Sequence, residues 1–186
     1  MPALALVLLS GHSAWAQNLP VYESTGTIEL AIDGKSSTYH TTSNTVPGQP
    51  GRMVHTANWR TFAPMMLGGI NMAPPGVFIS LSARPTVEPD PDAPQLKITF
   101  SIDDGNHTLL ETAPTEVSYT IKNGALAGQY QHASGSLQIL SVQAADNNTL
   151  KITGRAAGTL SSKGGGKGAR QELEYAAEFT VNAHRH

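Results

Sequence analysis

The feature that most constrains the fold of this chain is an alternation of apolar and polar residues, repeated along most of its length. In the segment 96–102, LKITFSI, apolar residues occupy every second position, and the segments 25–32, 77–83 and 117–121 repeat the pattern. A period of two is typical of strands with one buried face. No segment shows the cap, the stop signal and the 3.6-residue period of an amphipathic helix. The sequence therefore predicts an all-β fold, a single antiparallel β-sandwich of about nine or ten strands, with a β-barrel as the alternative.

Turn sequences between these segments predict hairpins and their registers. Asn123-Gly124 is a strong signal for a two-residue hairpin turn, because both residues tolerate the left-handed conformation that such a turn needs. A two-residue turn at this point places Tyr119 opposite Gly128.

A second hairpin is predicted for the last two strands. If Leu160 faces Leu173, then Gly158 lies opposite Tyr175 and Gly154 lies opposite Phe179. Aromatic rings laid over glycines of the neighbouring strand compensate for the poor strand propensity of glycine. This register therefore gives the strand glycines a structural role.

The charge and cysteine content exclude several classes of function. The 186 residues include 12 basic and 14 acidic side chains, a net charge of −2, and only 14% charged residues, against about 25% in an average domain. This near balance argues against a nucleic-acid partner, since nucleic-acid binding proteins carry a basic excess. The chain has no cysteine. Disulfide frameworks, cysteine-ligated metals, thiol nucleophiles and an acylated-cysteine lipid anchor are therefore excluded.

The N-terminal segment has the features of a signal peptide. Residues 3–9, ALALVLL, form a short apolar run, and Ala14-Trp15-Ala16 has the small-x-small form that signal peptidase cleaves. We expect a signal peptide over residues 1–16, cleavage after Ala16, and a single β-sandwich domain over residues 17–186. The predicted location is periplasmic or extracellular. Because no run of about 18 apolar residues occurs, we expect no transmembrane segment.

The segment 59–78 interrupts the strand pattern with an unusually apolar composition for a loop. Exposed apolar clusters mark interaction surfaces, and sandwich loops commonly carry recognition. The segment is therefore a candidate binding surface for an unknown protein or small ligand. The alternative is a plug that buries the same side chains over an open end of the sandwich. The candidate residues are Trp59, Phe62, Met65, Met66 and Met72.

Two histidines near the C-terminus are the candidate metal ligands. His184 and His186 are two positions apart, so in an extended strand both side chains point to one side. The sequence predicts no cofactor, but neutral imidazole suits copper, zinc or nickel, and the expected export makes copper the candidate among these metals. Methionine thioethers of the segment 59–78 are the candidate additional ligands for Cu(I). The alternative is a frayed terminal tail without a metal.

Two acidic turns are candidates for calcium. They are Asp103-Asp104-Gly105-Asn106 and Asp90-Pro91-Asp92, whose oxygens are of the kind that calcium prefers. Neither follows the EF-hand spacing, and both are good turn sequences. The sequence favours turns over calcium sites.

Catalytic motifs are absent from the sequence. The G-x-S-x-G motif does not occur, and the glycine-rich segment 164–168 lacks the spacing of a phosphate-binding loop. Glu172, Glu174 and Glu178 alternate with apolar residues, which places them on the solvated face of a strand. A hydrolase whose site is assembled from distant residues remains an alternative.

The segment 135–181 resembles the closing strands of small exported bacterial β-sandwich proteins of unknown function. The similarity lies in the sequences GSLQI at 135–139, LKITGRAAGTL at 150–160 and EFTV at 178–181. Ala156 replaces an aromatic residue of that pattern. The resemblance implies an exported β-sandwich and carries no activity or site residues.

Together these features predict an exported, non-catalytic β-sandwich protein that acts by binding or interaction. Copper binding in the periplasm through histidine and methionine is the first alternative, and the hydrolase is the second.

Overall fold

The computed structural model describes residues 19–49, 51–67, 70–73, 75–111, 113, 115–124, 126–162 and 172–186. The predicted signal peptide, residues 1–16, and the glycine-rich segment 164–168 lie outside the described residues. The strands, in chain order, are β1 (Tyr22–Ile32), β2 (Lys35–Thr45), β3 (Met53–His55), β4 (Ala57–Phe62), β5 (Met65–Leu67), β6 (Ile70–Ala73), β7 (Gly76–Ala83), β8 (Gln95–Asp103), β9 (Glu116–Ile121), β10 (Gly128–Ala144), β11 (Thr149–Ser162) and β12 (Glu172–Arg185).

The strands form one ten-stranded sheet and one small hairpin. The sheet order is β11-β10-β9-β8-β7-β4-β12-β1-β2-β3, and β11 also pairs with β12, so the hydrogen bonding closes in a ring. All pairings are antiparallel except a short parallel one between β12 and β4. The hairpin consists of β5 and β6. The all-β prediction is confirmed, and the described residues contain no helix.

Within the described ranges, no helix is long and apolar enough to span a membrane.

The apolar side chains of the alternating pattern form the core. Along β12, odd-numbered side chains from Leu173 to Ala183 are buried and even-numbered ones from Glu172 to Asn182 are exposed. The three glutamates of this strand are therefore on the solvated face, as predicted. In β8 the apolar residues Leu96, Ile98, Phe100 and Ile102 are fully buried.

The predicted register of the last two strands is confirmed. Gly154 pairs with Phe179 and Gly158 pairs with Tyr175. A Cβ atom on Gly154 would lie 2.4 Å from Cζ of Phe179, so only glycine leaves room for this ring. At Gly158 the constraint is instead the neighbouring backbone, since a Cβ atom there would lie 2.0 Å from the Ser134 carbonyl oxygen.

The predicted register at Asn123-Gly124 is wrong. Gly124 has the expected positive φ of 91°, but the strands pair Tyr119 with Tyr130, not with Gly128. The ladder stops at Ile121 opposite Gly128, so the loop is longer than two residues. The Tyr130 hydroxyl donates a hydrogen bond of 3.0 Å to the Leu126 carbonyl within this loop. This register differs from the predicted one by two residues, so both tyrosines stay on the buried face, and Tyr119 lies directly opposite Tyr130.

A pair of tyrosine hydroxyls links two strands that are not neighbours in the sheet. Tyr39 in β2 and Tyr119 in β9 are buried, and their hydroxyl oxygens lie 2.8 Å apart. Burial, together with the hydrogen bond to Tyr119, raises the pKa of Tyr39 well above its ordinary value. Each of the two buried hydroxyl groups thus has a hydrogen-bond partner.

Candidate functional site

A groove of about 1000 Å³ opens at the end of the sheet where β12 finishes, beside the turn that joins β10 to β11. Its walls carry imidazole, carboxylate, hydroxyl and amide groups. We call it the histidine groove and define it by Glu23, His55, Asp146, Thr149 and His184. It gathers residues from both ends of the chain.

The strand pairings bring two histidines together in this groove. His55 is placed by β3, where it pairs with Ser43 of β2. His184 pairs with Thr149 on one side of β12 and with Asn58 of β4 on the other. The two imidazole rings stack face to face, with 3.9 Å between centroids and 17° between planes.

One nitrogen of this pair has no partner. Nδ1 of His55 is shielded from solvent and makes no hydrogen bond among the described residues. Burial, and secondarily the charge that His184 would carry, lower the pKa of His55. The ring is therefore neutral at pH 7. A proton on Nδ1 would be a buried donor without an acceptor, so we assign the proton to Nε2 and a bare lone pair to Nδ1.

The other histidine is oriented by a chain of hydrogen bonds. The Asn148 backbone N–H donates to Oδ1 of Asp146 at 2.7 Å and, with the nearby Thr149 hydroxyl, holds the pKa of this carboxylate below the usual range. We assign the Thr149 hydroxyl hydrogen to Asp146, so that the Thr149 oxygen accepts from Nδ1–H of His184, 3.3 Å away. This assignment leaves Nε2 of His184 as a bare lone pair. Burial lowers the pKa of His184, and the charge of Asp146 acts in the opposite direction.

The turn beside the groove is anchored to the core. The carbonyl oxygen of Asn148 accepts hydrogen bonds from Trp59 Nε1 at 3.1 Å and from the Arg185 backbone N–H at 2.7 Å. The Arg185 guanidinium lies over the Trp59 ring, 5.3 Å from its centroid. These contacts fix the position of Asp146 and Thr149 relative to β12.

The predicted partnership of His184 with His186 differs from the one observed. His186 is exposed beyond the end of β12, and its backbone N–H donates to the Trp59 carbonyl at 3.0 Å. The imidazole stacked on His184 is that of His55, which no pattern in the sequence singled out. Within the part of the chain that the structure describes, no three histidine or acidic side chains gather as a metal-binding group.

The residues of the predicted binding surface have different positions. Trp59 belongs to the core with 9% of its surface exposed, and Phe62 is half-buried at the end of β4. Met65 and Met66 are in β5 and Met72 is in β6, but their side chains lie outside the described residues. The choice between a binding surface and a plug stays open for the three methionines.

The acidic turns use their carboxylates for local hydrogen bonds. Oδ1 of Asp103 accepts from the backbone N–H groups of Gly105 at 2.8 Å and Asn106 at 3.0 Å. These bonds lower the pKa of Asp103. Oδ1 of Asp90 likewise accepts from the Asp92 N–H at 2.9 Å. Both segments have the geometry of turns, the interpretation that the sequence favoured.

A second cavity of about 230 Å³ lies between β2 and the end of β7. Its polar groups are engaged with one another, as in the bond of 2.6 Å from Gln95 Nε2 to Ser82 Oγ and the bond of 2.7 Å from the Thr42 N–H to Thr56 Oγ1. The histidine groove is the stronger candidate because it holds an unsatisfied nitrogen.

No protein-family model matches this chain, and no curated protein or solved structure does so. The resemblance of the segment 135–181 to exported β-sandwich proteins stays a prediction.

Proposed function

We propose that this chain is an exported, non-catalytic binding protein and that the histidine groove is its ligand site. The observation that carries the proposal is the buried, unpartnered Nδ1 of His55 beside the His184 ring. An unsatisfied buried polar atom costs free energy. Because Nδ1 is shielded from solvent, a ligand in the groove pairs with it only after neighbouring side chains move aside, and binding then supplies the hydrogen bond that the free protein lacks. The export signal predicted over residues 1–16 supports the location.

The proposal is tested by replacing His55 with leucine and measuring the free energy of unfolding at pH 7.5. Because a binding residue is kept at the expense of stability, His55→Leu is expected to leave stability unchanged or to raise it by up to about 1 kcal/mol.

His132→Leu is the matched control. His132 Nδ1 lies 3.0 Å from the buried Tyr175 hydroxyl, so this substitution leaves a hydroxyl unpaired and should cost about 1–3 kcal/mol. If His55→Leu destabilises the protein as much as His132→Leu does, His55 is a structural residue and the proposal fails.

A second candidate function is the handling of copper through His184. The Asp146–Thr149–His184 chain favours it, because metal-binding histidines commonly donate their other ring N–H to an outer hydrogen-bonding group. Nε2 of His184 is then the ligand atom, and imidazole suits Cu(II).

Calorimetric titration of the full chain with Cu(II) at pH 7.5 tests this candidate. His184→Gln is expected to weaken copper binding at least 10-fold, and Thr149→Val, which removes the orienting hydroxyl, by about 10-fold. His186→Gln should bind copper as the unaltered chain does. Loss of copper binding in His186→Gln alone would place the copper site in the C-terminal tail and contradict this candidate.

A further inference from the structure

Strand β10 pairs with β9 over only its first four residues, and just two of these, Tyr130 and Gln131, also pair with β11. Its residues 128–131 pair with β9, and from His132 onward its strand partner in the described chain is β11 alone. The cause lies in the segment that precedes β9. Leu109 and Leu110 run beside β8, through the bridge from Ile102 to Leu109 and a bond of 2.9 Å from the Leu110 N–H to the Ser101 carbonyl. The ring is closed at β10 by residues 128–131 alone, and from His132 onward the side of β10 that faces away from β11 has no strand beside it in the described chain.

A groove of about 490 Å³ lies along this side, between β10 and the loop 106–109. We call residues 134–143 of β10 the open edge, and its residues 137–143 line this groove. Leu137, Ile139 and Val142 are half-buried along it, and Leu140 is 54% exposed. The straight part of the ladder, 134–139, lies between two β-bulges.

The open edge lacks the charges that protect most strand edges. Natural edge strands are guarded against pairing by lysine or other charges, proline, or bulges. From Asn123 to Ala145 the chain contains no aspartate, glutamate, lysine, arginine or proline. Of the common protective features, the open edge has only the bulges at its two ends.

The backbone groups and side chains of the open edge determine what kind of segment can pair with it. In an antiparallel ladder, alternate residues direct their N–H and C=O groups away from the partner strand, here away from β11. A regular row of such groups is satisfied along its length by another extended backbone. Along the straight part, half-buried Leu137 and Ile139 alternate with exposed Ser136 and Gln138, so the complementary strand places apolar residues at every second position. An edge without charge is complementary to a segment without charge.

We propose that the open edge of β10 binds an extended, uncharged segment of a partner protein, with alternating apolar residues, as an added strand. This surface is separate from the histidine groove and does not depend on its function. The loop 106–109 forms the opposite wall of the groove that receives the added strand.

The test uses the full chain and a capped peptide, acetyl-TVTVTVT-amide, with acetyl-TKTKTKT-amide as the charged control peptide. Backbone hydrogen exchange is measured by NMR with and without each peptide. The TVTVTVT peptide is expected to slow exchange at least 10-fold for about half of the amides in 134–143, those directed away from β11. The charged peptide should slow none of them.

Two exposed apolar residues provide matched variants. Leu140→Lys places a charge on the open edge and is expected to weaken peptide binding at least 10-fold. Val54→Lys places the same charge on β3, the outermost strand of the sheet, where Val54 is 46% exposed, and should leave binding unchanged. Both positions are exposed, so neither change should prevent folding.

Three results would overturn the proposal. Unchanged exchange over 134–143 with saturating peptide excludes strand addition. Slowed exchange at residues 53–55 instead assigns strand addition to β3. A dimer in light scattering that Leu140→Lys converts to a monomer makes a second copy of this chain the occupant.

Discussion

The imidazole rings of His55 and His184 lie face to face, 3.9 Å apart at their centroids, although 184 − 55 = 129 positions separate them in the sequence. This stack joins the outermost strand β3 to the end of β12, the strand that also contacts β1, β4 and β11. Two neutral imidazoles can stack in this way, whereas two imidazolium ions at this separation repel each other. The protonation state of the pair is therefore linked to the stability of this end of the sheet.

The stack predicts that stability falls in mild acid. Burial lowers the pKa of both His55 and His184 below the ordinary value of 6.5, so the unfolded chain binds these protons more readily than the folded one. The part of the free energy of unfolding that is linked to these two rings is fully present above pH 6.5. It is lost as pH falls below this value, by at most about 1.4 kcal/mol per pH unit for each ring. Urea unfolding at pH 7.5, 6.5 and 5.5 measures this loss.

The matched control is the double variant His55→Leu/His184→Gln, in which the decrease should be smaller. The pKa of Asp146 is lowered from 3.8, so this carboxylate stays ionised over the whole range. Equal pH dependence in the two proteins would show that the stack does not titrate as described.

Trp59 is expected to act as a core residue. It is 9% exposed, and its indole N–H donates to Asn148 at 3.1 Å. Trp59→Ala should therefore lower the free energy of unfolding by about 3–5 kcal/mol. A change within about 0.5 kcal/mol, as is usual for surface positions, would instead support the surface role predicted from the sequence. Chemical denaturation followed by circular dichroism provides the measurement.

The Tyr39–Tyr119 pair should show coupled energetics. Tyr39→Phe leaves the Tyr119 hydroxyl without its partner at 2.8 Å and should cost about 1–2 kcal/mol. The double variant Tyr39→Phe/Tyr119→Phe removes both polar groups, so its cost should be less than the sum of the two single costs. Strict additivity in a double-mutant cycle would contradict the hydrogen bond.

Gly154 is expected to tolerate no side chain. A Cβ atom there would lie 2.4 Å from Phe179 Cζ and 2.9 Å from the Gln138 carbonyl oxygen, so Gly154→Ala should cost about 2–3 kcal/mol. Gly34→Ala is the control, because Gly34 has a φ of 77° but open space around it, and should cost only about 1 kcal/mol. Unfolding free energies compare the two. Adding Phe179→Leu should recover part of the loss at Gly154 and none at Gly34.

Patterns within neighbouring segments predicted part of the strand pairing, but not all of it. The register of Gly154 with Phe179 was predictable because apolar alternation and the glycine–aromatic match both restrict which residues face each other. At Asn123-Gly124 the local turn signal was strong, but the ladder ends at Ile121 and Gly128 and the loop is longer than two residues. Apolar alternation could not distinguish the two registers, because a shift of two residues keeps Tyr119 and Tyr130 on the same face.

The histidine groove is formed by residues that are far apart in the sequence. His184 was recognised as a candidate ligand because a second histidine follows two positions later. Its actual neighbours, His55, Thr149 and Asp146, meet it only because β12 lies next to β11 and continues beside β4. No spacing along the chain predicts that these residues are neighbours in the fold. The candidate site could therefore be predicted for one residue and not for its partners.

The central claim is that Nδ1 of His55 is a bare, unpaired nitrogen held for a ligand. The most direct measurement is the ring ¹⁵N chemical shift of His55 in the ligand-free protein at pH 7.5. We predict the shift of an unprotonated imidazole nitrogen without a hydrogen bond at Nδ1, and a protonated Nε2. A protonated or hydrogen-bonded Nδ1 would contradict the account, because His55 would then have no unused capacity to offer a ligand.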